Sequence, residues 1–163
     1  MPDPVTHLCT ALFPKALLGG RYTGVFAVGV SLPDIASRLP TAVLERAYDR
    51  GFIPREAMYP WATLHMPIGI AVSCALLTFL FPEKDRPAVF GWLLGGGALH
   101  LAADLLQFHY GQGYYLLFPF SLWRFELGWV GSEATVPLAP WFAAATAIAW
   151  GYRWTWERRR AVK

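Results

Sequence analysis

The sequence predicts an all-α protein, a polytopic transmembrane helix bundle that forms a single domain over residues 1–163. Of the 163 residues, 55% are hydrophobic and 16% aromatic, whereas only 15% are charged, and about 25% is usual in soluble domains. Apolar runs alternate with short charged or proline-rich connections. Because an apolar helix of about 20 residues can cross the ~30 Å hydrocarbon core of a bilayer, these runs predict membrane spans.

Two consecutive runs have the clearest composition of spans. Residues 61–81 contain His65 as their single acidic or basic side chain, and residues 88–107 follow after a charged turn at 82–87. So short a turn predicts that the two helices are antiparallel neighbours. Residues 109–135, which are rich in glycine and aromatic side chains, are predicted to form a connection.

The other two predicted spans are less regular. Residues 136–152 are apolar but short, and residues 22–36 contain Pro33, which is expected to bend or end the helix. Ahead of them, residues 5–18 predict an N-terminal interfacial or re-entrant helix. Residues 39–58 are polar enough for an exposed or interfacial helix. Four spans and one N-terminal helix are therefore expected.

The basic residues predict an orientation within an inner (cytoplasmic) membrane. If the C-terminus is cytoplasmic, nine basic residues fall on that side and five on the other, in keeping with the positive-inside rule. Because these residues lie between apolar runs and do not line one polar face, they exclude nucleic acid as a partner. Membrane lipids are the expected partners, together with other membrane subunits if the chain belongs to a complex.

Ionisable side chains within the apolar runs predict a polar site. Asp34 lies near the end of one run, His65 near the start of the next, and His100 and Asp104 in the last third of the one after. In a bundle of alternating helices these positions fall at the same end. His100 and Asp104, four residues apart, share one helix face. Ionisable groups are costly at membrane depth, so they normally face the bundle interior and mark functional sites.

Imidazole and carboxylate side chains together suit zinc or another first-row divalent ion. Three other interpretations stay open on the residues alone. In the first, His100 and Asp104 form a buried structural pair. In the second, Asp34 caps the turn that follows it, and in the third a histidine ligates a tetrapyrrole. His7 joins the site only if residues 5–18 fold toward the same end of the bundle.

Several short motifs resemble those of the YdjM-like family of inner-membrane, metal-dependent hydrolases. The resemblance extends over roughly residues 5–130, and its motifs are Leu32-Pro33-Asp34-Ile35, the isolated His65, Gly96 to Asp104, and Pro119-Phe120-Ser121. It implies a helical membrane fold and one divalent metal site. By this resemblance the matching site residues are His7, Asp34, His65, His100 and Asp104.

These observations lead to a functional hypothesis, a membrane-embedded hydrolase that acts on a lipid or other amphiphilic (phospho)ester. A bound metal ion would activate water, with Asp34 or Asp104 as general base. The alternative is a non-catalytic structural or assembly subunit of a larger membrane complex. It is favoured by Ala36 and Trp61-Ala62, which stand where members of the family often have a second Asp and an Arg-Gly pair.

Overall fold

The computed structural model describes residues 4–108, 113–131 and 133–161. Most of these residues are helical, so the predicted all-α fold is confirmed. The helices in chain order are α1 (Pro4–Leu18), α2 (Thr23–Pro33), α3 (Leu39–Asp49), α4 (Tyr59–Thr63), α5 (Pro67–Thr78), α6 (Arg86–Leu105) and α7 (Ala139–Ala161). A π-helical turn (Asp34–Arg38) joins α2 to α3. Strands β1 (Gln107–Phe108) and β2 (Val130–Gly131) pair in parallel.

Contacts along the helices define two ends of the bundle. The α1 and α7 helices run in the same direction, because Trp150 Nε1 donates to the Leu12 carbonyl and Arg153 Nη1 to the Ala16 carbonyl. Gly19 and Gly20 then reverse the chain into α2 with φ angles of 73° and 115°, a conformation that glycine adopts at little cost. This turn lies at one end, and the Asp34–Arg38 turn lies at the other.

A close approach of backbones fixes α2 against α6. A Cβ atom at Gly96 would overlap the Phe26 carbonyl oxygen and lie 2.7 Å from the Val30 nitrogen, and one at Gly29 would overlap Leu93. Small residues allow such contacts between membrane helices. The hydrophobic core continues from this contact toward α5, where Ile70 and Cys74 are buried.

The predicted end of the helix at Pro33 is confirmed for the regular α-helix, because α2 ends at this residue, but the chain continues without a loop through the π-helical turn into α3. Proline disrupts the hydrogen bonding of the preceding turn, and here the wide Asp34–Arg38 turn follows it directly. Such π-helical turns are frequent at functional sites. This one directs Asp34 and Ser37 into the protein. The predicted exposed helix corresponds to α3, which has no buried residues.

The predicted continuous helix over 61–81 is wrong. Residues 55–63 and 67–78 form a helical pair bent by 70°. Pro67 begins α5, and the residue before it, Met66, is extended with φ −86° and ψ 159°, as a residue before proline prefers. His65 lies in the break between α4 and α5.

By length and composition, Glu83–Leu105 is the one described helix that could cross a membrane, and the bent pair would make a second span. The prediction of four spans is not supported by this measure. The α2 helix has 11 residues and α1 has 15, and each is shorter than a span requires. The α1 helix packs between α2 and α7 and buries Cys9, Ala11 and Ala16, which argues against an interfacial helix apart from the bundle.

We expect Gly96→Ala to lower the free energy of unfolding by about 1–3 kcal/mol, because the new methyl group overlaps the backbone of α2. Gly91→Ala is the matched control on the same helix, since a Cβ atom there meets nothing within 4 Å, and alanine favours helix. Unfolding in detergent measures both. A Gly96→Ala variant as stable as Gly91→Ala would contradict the close contact.

Candidate metal centre

The structure brings all five predicted site residues together at one end of the bundle. His7 comes from α1, Asp34 from the π-helical turn, His65 from the break before α5, and His100 and Asp104 from α6. Each is buried, with exposed fractions from 8% for Asp34 to 0% for Asp104. Four separate stretches of the chain therefore contribute to one buried polar cluster.

Asp104 lies at the centre of the cluster. Its Oδ1 atom is 3.0 Å from His7 Nε2, and its Oδ2 atom is 2.8 Å from His65 Nε2 and 3.4 Å from His100 Nε2. The Tyr114 hydroxyl donates to Oδ2 at 2.6 Å. A fully buried carboxylate is tolerated only with such partners, because an isolated one would cost many kcal/mol.

The three histidine rings surround the carboxylate. His7 and His100 are stacked with their centroids 4.2 Å apart, and His100 meets His65 edge to face at 5.0 Å. His65 Nε2 and His100 Nε2 are 3.2 Å apart. These two nitrogen atoms and Asp104 Oδ2 thus form a triangle with sides of 3.2, 2.8 and 3.4 Å. In a tetrahedral site with metal–ligand bonds of ~2.0 Å, neighbouring ligand atoms are about 3.3 Å apart. His65, His100 and Asp104 could therefore hold a metal ion.

A second group of ligand atoms shares His100. His7, Asp34 and His100 each offer one donor atom, all within 4.8 Å of one another. His7 Nε2 lies 3.0 Å from Asp104 Oδ1, and Arg38 Nε lies 2.7 Å from Asp34 Oδ1, but neither pair has the geometry of a hydrogen bond. Buried polar atoms are normally hydrogen-bonded, so close pairs without that geometry are consistent with an ion shared by His7, Asp34 and His100.

Two residues of the cluster are absent from the sequence prediction, Arg38 and Tyr114. Arg38 Nε lies 2.7 Å from Asp34 Oδ1, and its Nη2 atom lies 3.8 Å from Asp104 Oδ2. Burial, followed by the nearby Asp104 carboxylate, raises the pKa of Tyr114 well above its usual range. The phenol therefore stays protonated and acts as a donor.

A signal for Arg38 was present in the sequence, because it follows Asp34 by four residues and shares its helix face. This signal is clear only if the helix continues past Pro33, where the sequence predicts a bend or an end. Tyr114 had no such signal. It comes from the predicted connection and reaches the site because its backbone pairs with Phe125 in an antiparallel bridge. His109, at the start of that connection, lies outside the described residues.

A cavity of about 520 Å³ opens beside the cluster, between α1 and the helix that runs from α2 into α3. The surface of the cavity is almost wholly apolar, and His7, Asp34 and Arg38 of the cluster are among the residues that line it. The other lining residues are Ser31 and the apolar Val5, Leu8, Val30, Ile35, Leu39 and Ala42. A volume of this size is typical of small-molecule sites. The lining suits an apolar group that lies beside the cluster.

The cluster joins acidic and basic side chains in direct contact. Two carboxylates, Asp34 and Asp104, lie close to one guanidinium, Arg38. A divalent cation would add positive charge beside these carboxylates, whose burial is otherwise unfavourable. His100 and Asp104 do not form an isolated structural pair, because His7, His65 and Tyr114 also contact Asp104. Asp34 faces the cluster instead of capping a turn, and Arg38 contacts it there.

Comparisons of the chain with protein-family models, with curated proteins and with solved structures gave no match.

We expect Tyr114→Phe to lower the free energy of unfolding by about 1–3 kcal/mol, because the buried Asp104 carboxylate loses its shortest hydrogen bond. Tyr115→Phe is the matched control. It also removes a phenol, but one whose oxygen accepts from Arg124 at an exposed position, so its effect should stay within about 0.5 kcal/mol. Denaturant titrations of metal-free protein in detergent measure both. Equal losses would contradict the role of Tyr114.

Proposed function

We propose that this chain is a membrane-embedded, metal-dependent hydrolase that acts on a lipid or another amphiphilic ester. The observation that carries the proposal is the buried convergence of three histidines and two carboxylates beside an apolar cavity. A purely structural cluster would be expected to form hydrogen bonds of good geometry between its members. Here His7 Nε2 and Asp104 Oδ1 lie 3.0 Å apart without that geometry.

Zinc fits the donor set best. Imidazole nitrogens and carboxylate oxygens are the usual ligands of catalytic zinc, and such sites often contain no cysteine. His65, His100 and Asp104 would hold the ion as one group, with His7 and Asp34 on the side of the cavity. A bound divalent ion would polarise the ester and activate a water molecule.

The two carboxylates have different surroundings, and this suggests different roles. Asp104 has no exposed surface and is surrounded by His7, His65 and Tyr114, so it is suited to orienting ligands. Asp34 borders the cavity and can therefore meet a water molecule and a substrate. We assign the general base to Asp34, with Arg38 as the residue that positions it.

The cavity would receive the apolar part of the substrate. Because His7 and Asp34 line the cavity, an ester bound there would lie next to them, and the apolar lining includes Leu39 and Ala42 on α3. Leu39 is 64% exposed, so the cavity is open to the surroundings of the helix. In a bilayer a hydrocarbon chain could enter laterally, without passing through water.

Wild-type protein purified without chelator should contain about one equivalent of zinc, and His100→Ala should lose it, because the variant removes the ligand common to both donor groups. Asp49→Asn removes a carboxylate at the exposed end of α3 and should retain the metal. Elemental analysis by mass spectrometry measures all three. Metal content that does not change in His100→Ala would sink the proposed centre.

The same preparation tests the membrane part of the proposal. The protein should remain in the membrane fraction after a carbonate wash and require detergent for release. Release by carbonate alone would contradict membrane embedding. Stoichiometric metal without hydrolysis of any tested ester would favour the alternative, a non-catalytic subunit that retains the fold.

We expect Leu39→Trp to slow hydrolysis of long-chain esters at least tenfold and to leave short-chain esters within about twofold, because the larger ring narrows the cavity. Suitable carboxylic esters are p-nitrophenyl palmitate and p-nitrophenyl acetate. Suitable phosphodiesters are p-nitrophenyl hexadecyl phosphate and p-nitrophenyl methyl phosphate. Val43→Trp, one turn further along α3 and also exposed, does not line the cavity and is the matched control. Loss of activity on both chain lengths would contradict this role of the cavity.

A further inference from the structure

A second cavity lies at the opposite end of the bundle, between the C-terminal ends of α1 and α7. Its volume is about 450 Å³. It shares no residue with the candidate metal centre, and its lining combines cationic, aromatic and aliphatic side chains: Ala16, Leu17, Leu18, Ala149, Tyr152, Arg153, Trp156, Glu157 and Arg160. We refer to it as the α1–α7 cleft.

Arg153 forms part of the wall of the cleft. Its Nη1 atom donates to the Ala16 carbonyl at 3.3 Å, and its Nη2 atom lies 2.6 Å from Glu157 Oε1. The guanidinium also fills the space where Gly19 lacks a side chain. Its charge is therefore balanced by Glu157, and its role is to hold the ends of the two helices together.

Arg160 supplies a cation without an acidic partner. Its guanidinium lies 4.8 Å from the centroid of the Trp156 ring, and within the described parts of the chain no carboxylate pairs with it. Stacking on an aromatic face orients a guanidinium while leaving its N–H donors available. The lip of the cleft therefore presents donors that suit an anion such as a phosphate diester.

The rim of the cleft is apolar and aromatic. Leu17 and Leu18 are 65% and 86% exposed, and Tyr152 and Trp156 are 67% and 48% exposed. Tyrosine and tryptophan favour the boundary between lipid headgroups and hydrocarbon. A ligand of this cleft would therefore meet a cation and a hydrocarbon-like surface at the same time.

The surrounding charge favours an anionic partner. Arg158 and Arg159 lie next to Arg160 on α7, Arg21 lies in the turn before α2, and Arg86 begins α6 at this end. From the cation on its aromatic support, the apolar rim and this excess of positive charge, we propose that the α1–α7 cleft binds the headgroup of an anionic phospholipid. Clusters of basic residues at a membrane surface attract such lipids. The inference rests on the proposed membrane embedding and is independent of the proposed hydrolysis.

Full-length protein in a neutral detergent can be titrated with phosphatidylglycerol or with phosphatidylcholine, and native mass spectrometry then reports the number of bound lipids. We expect phosphatidylglycerol to bind more tightly. Arg160→Gln should weaken its affinity about tenfold, the effect of one lost charge-assisted hydrogen bond. Arg159→Gln removes the same charge from the neighbouring residue, which does not line the cleft, and should change the affinity less than about twofold.

Trp156→Leu is a second variant, which keeps an apolar side chain but removes the ring beneath Arg160, and it should also weaken binding of phosphatidylglycerol. Three outcomes would overturn the proposal. They are equal affinity for the two lipids, equal losses in Arg160→Gln and Arg159→Gln, and displacement of phosphatidylglycerol by soluble glycerol phosphate. The last result would identify a soluble phosphate compound, and not a lipid, as the ligand.

Discussion

The arrangement of this protein depends on one carboxylate that has no exposed surface. Asp104 can remain ionised inside a hydrophobic bundle only if donors or cations surround it. Its partners come from three other stretches of the chain, which supply His7, His65 and Tyr114. The need to satisfy Asp104 therefore ties together α1, the break before α5 and the connection that follows α6. Loss of the carboxylate would remove the common partner of all three.

The glycine contact between α2 and α6 determines which residues reach Asp104. Because Gly29 packs directly on Leu93, and Gly96 on the backbone of α2, the two helices cannot shift along each other without overlap. That register places the turn after Pro33 at the level of His100, with Asp34 Oδ1 3.7 Å from His100 Nε2. Core packing and site geometry are thus two consequences of the same close approach.

The sequence predicted the helical class and the grouping of the site because both follow from simple periodicities. His100 and Asp104 share a helix face four residues apart, and alternation of the helices brings Asp34 and His65 to the same end. It did not predict the break at His65 or the π-helical turn at Asp34. Each depends on how a proline is accommodated by tertiary packing, which local propensity does not determine. The sequence did not predict Tyr114 as a site residue either, because a tertiary contact, the backbone bridge with Phe125, positions it.

The two ends of the bundle differ in their chemistry. One end presents Arg158, Arg159 and Arg160 on α7, whereas the other buries three histidines and two carboxylates. Exposed arginines keep their hydration, but buried carboxylates and imidazoles require partners within the protein. The polar atoms of the candidate metal centre are therefore positioned by the packing of α1, α2 and α6, whereas the arginines depend on solvent and on neighbouring aromatic rings such as those of Trp154 and Trp156.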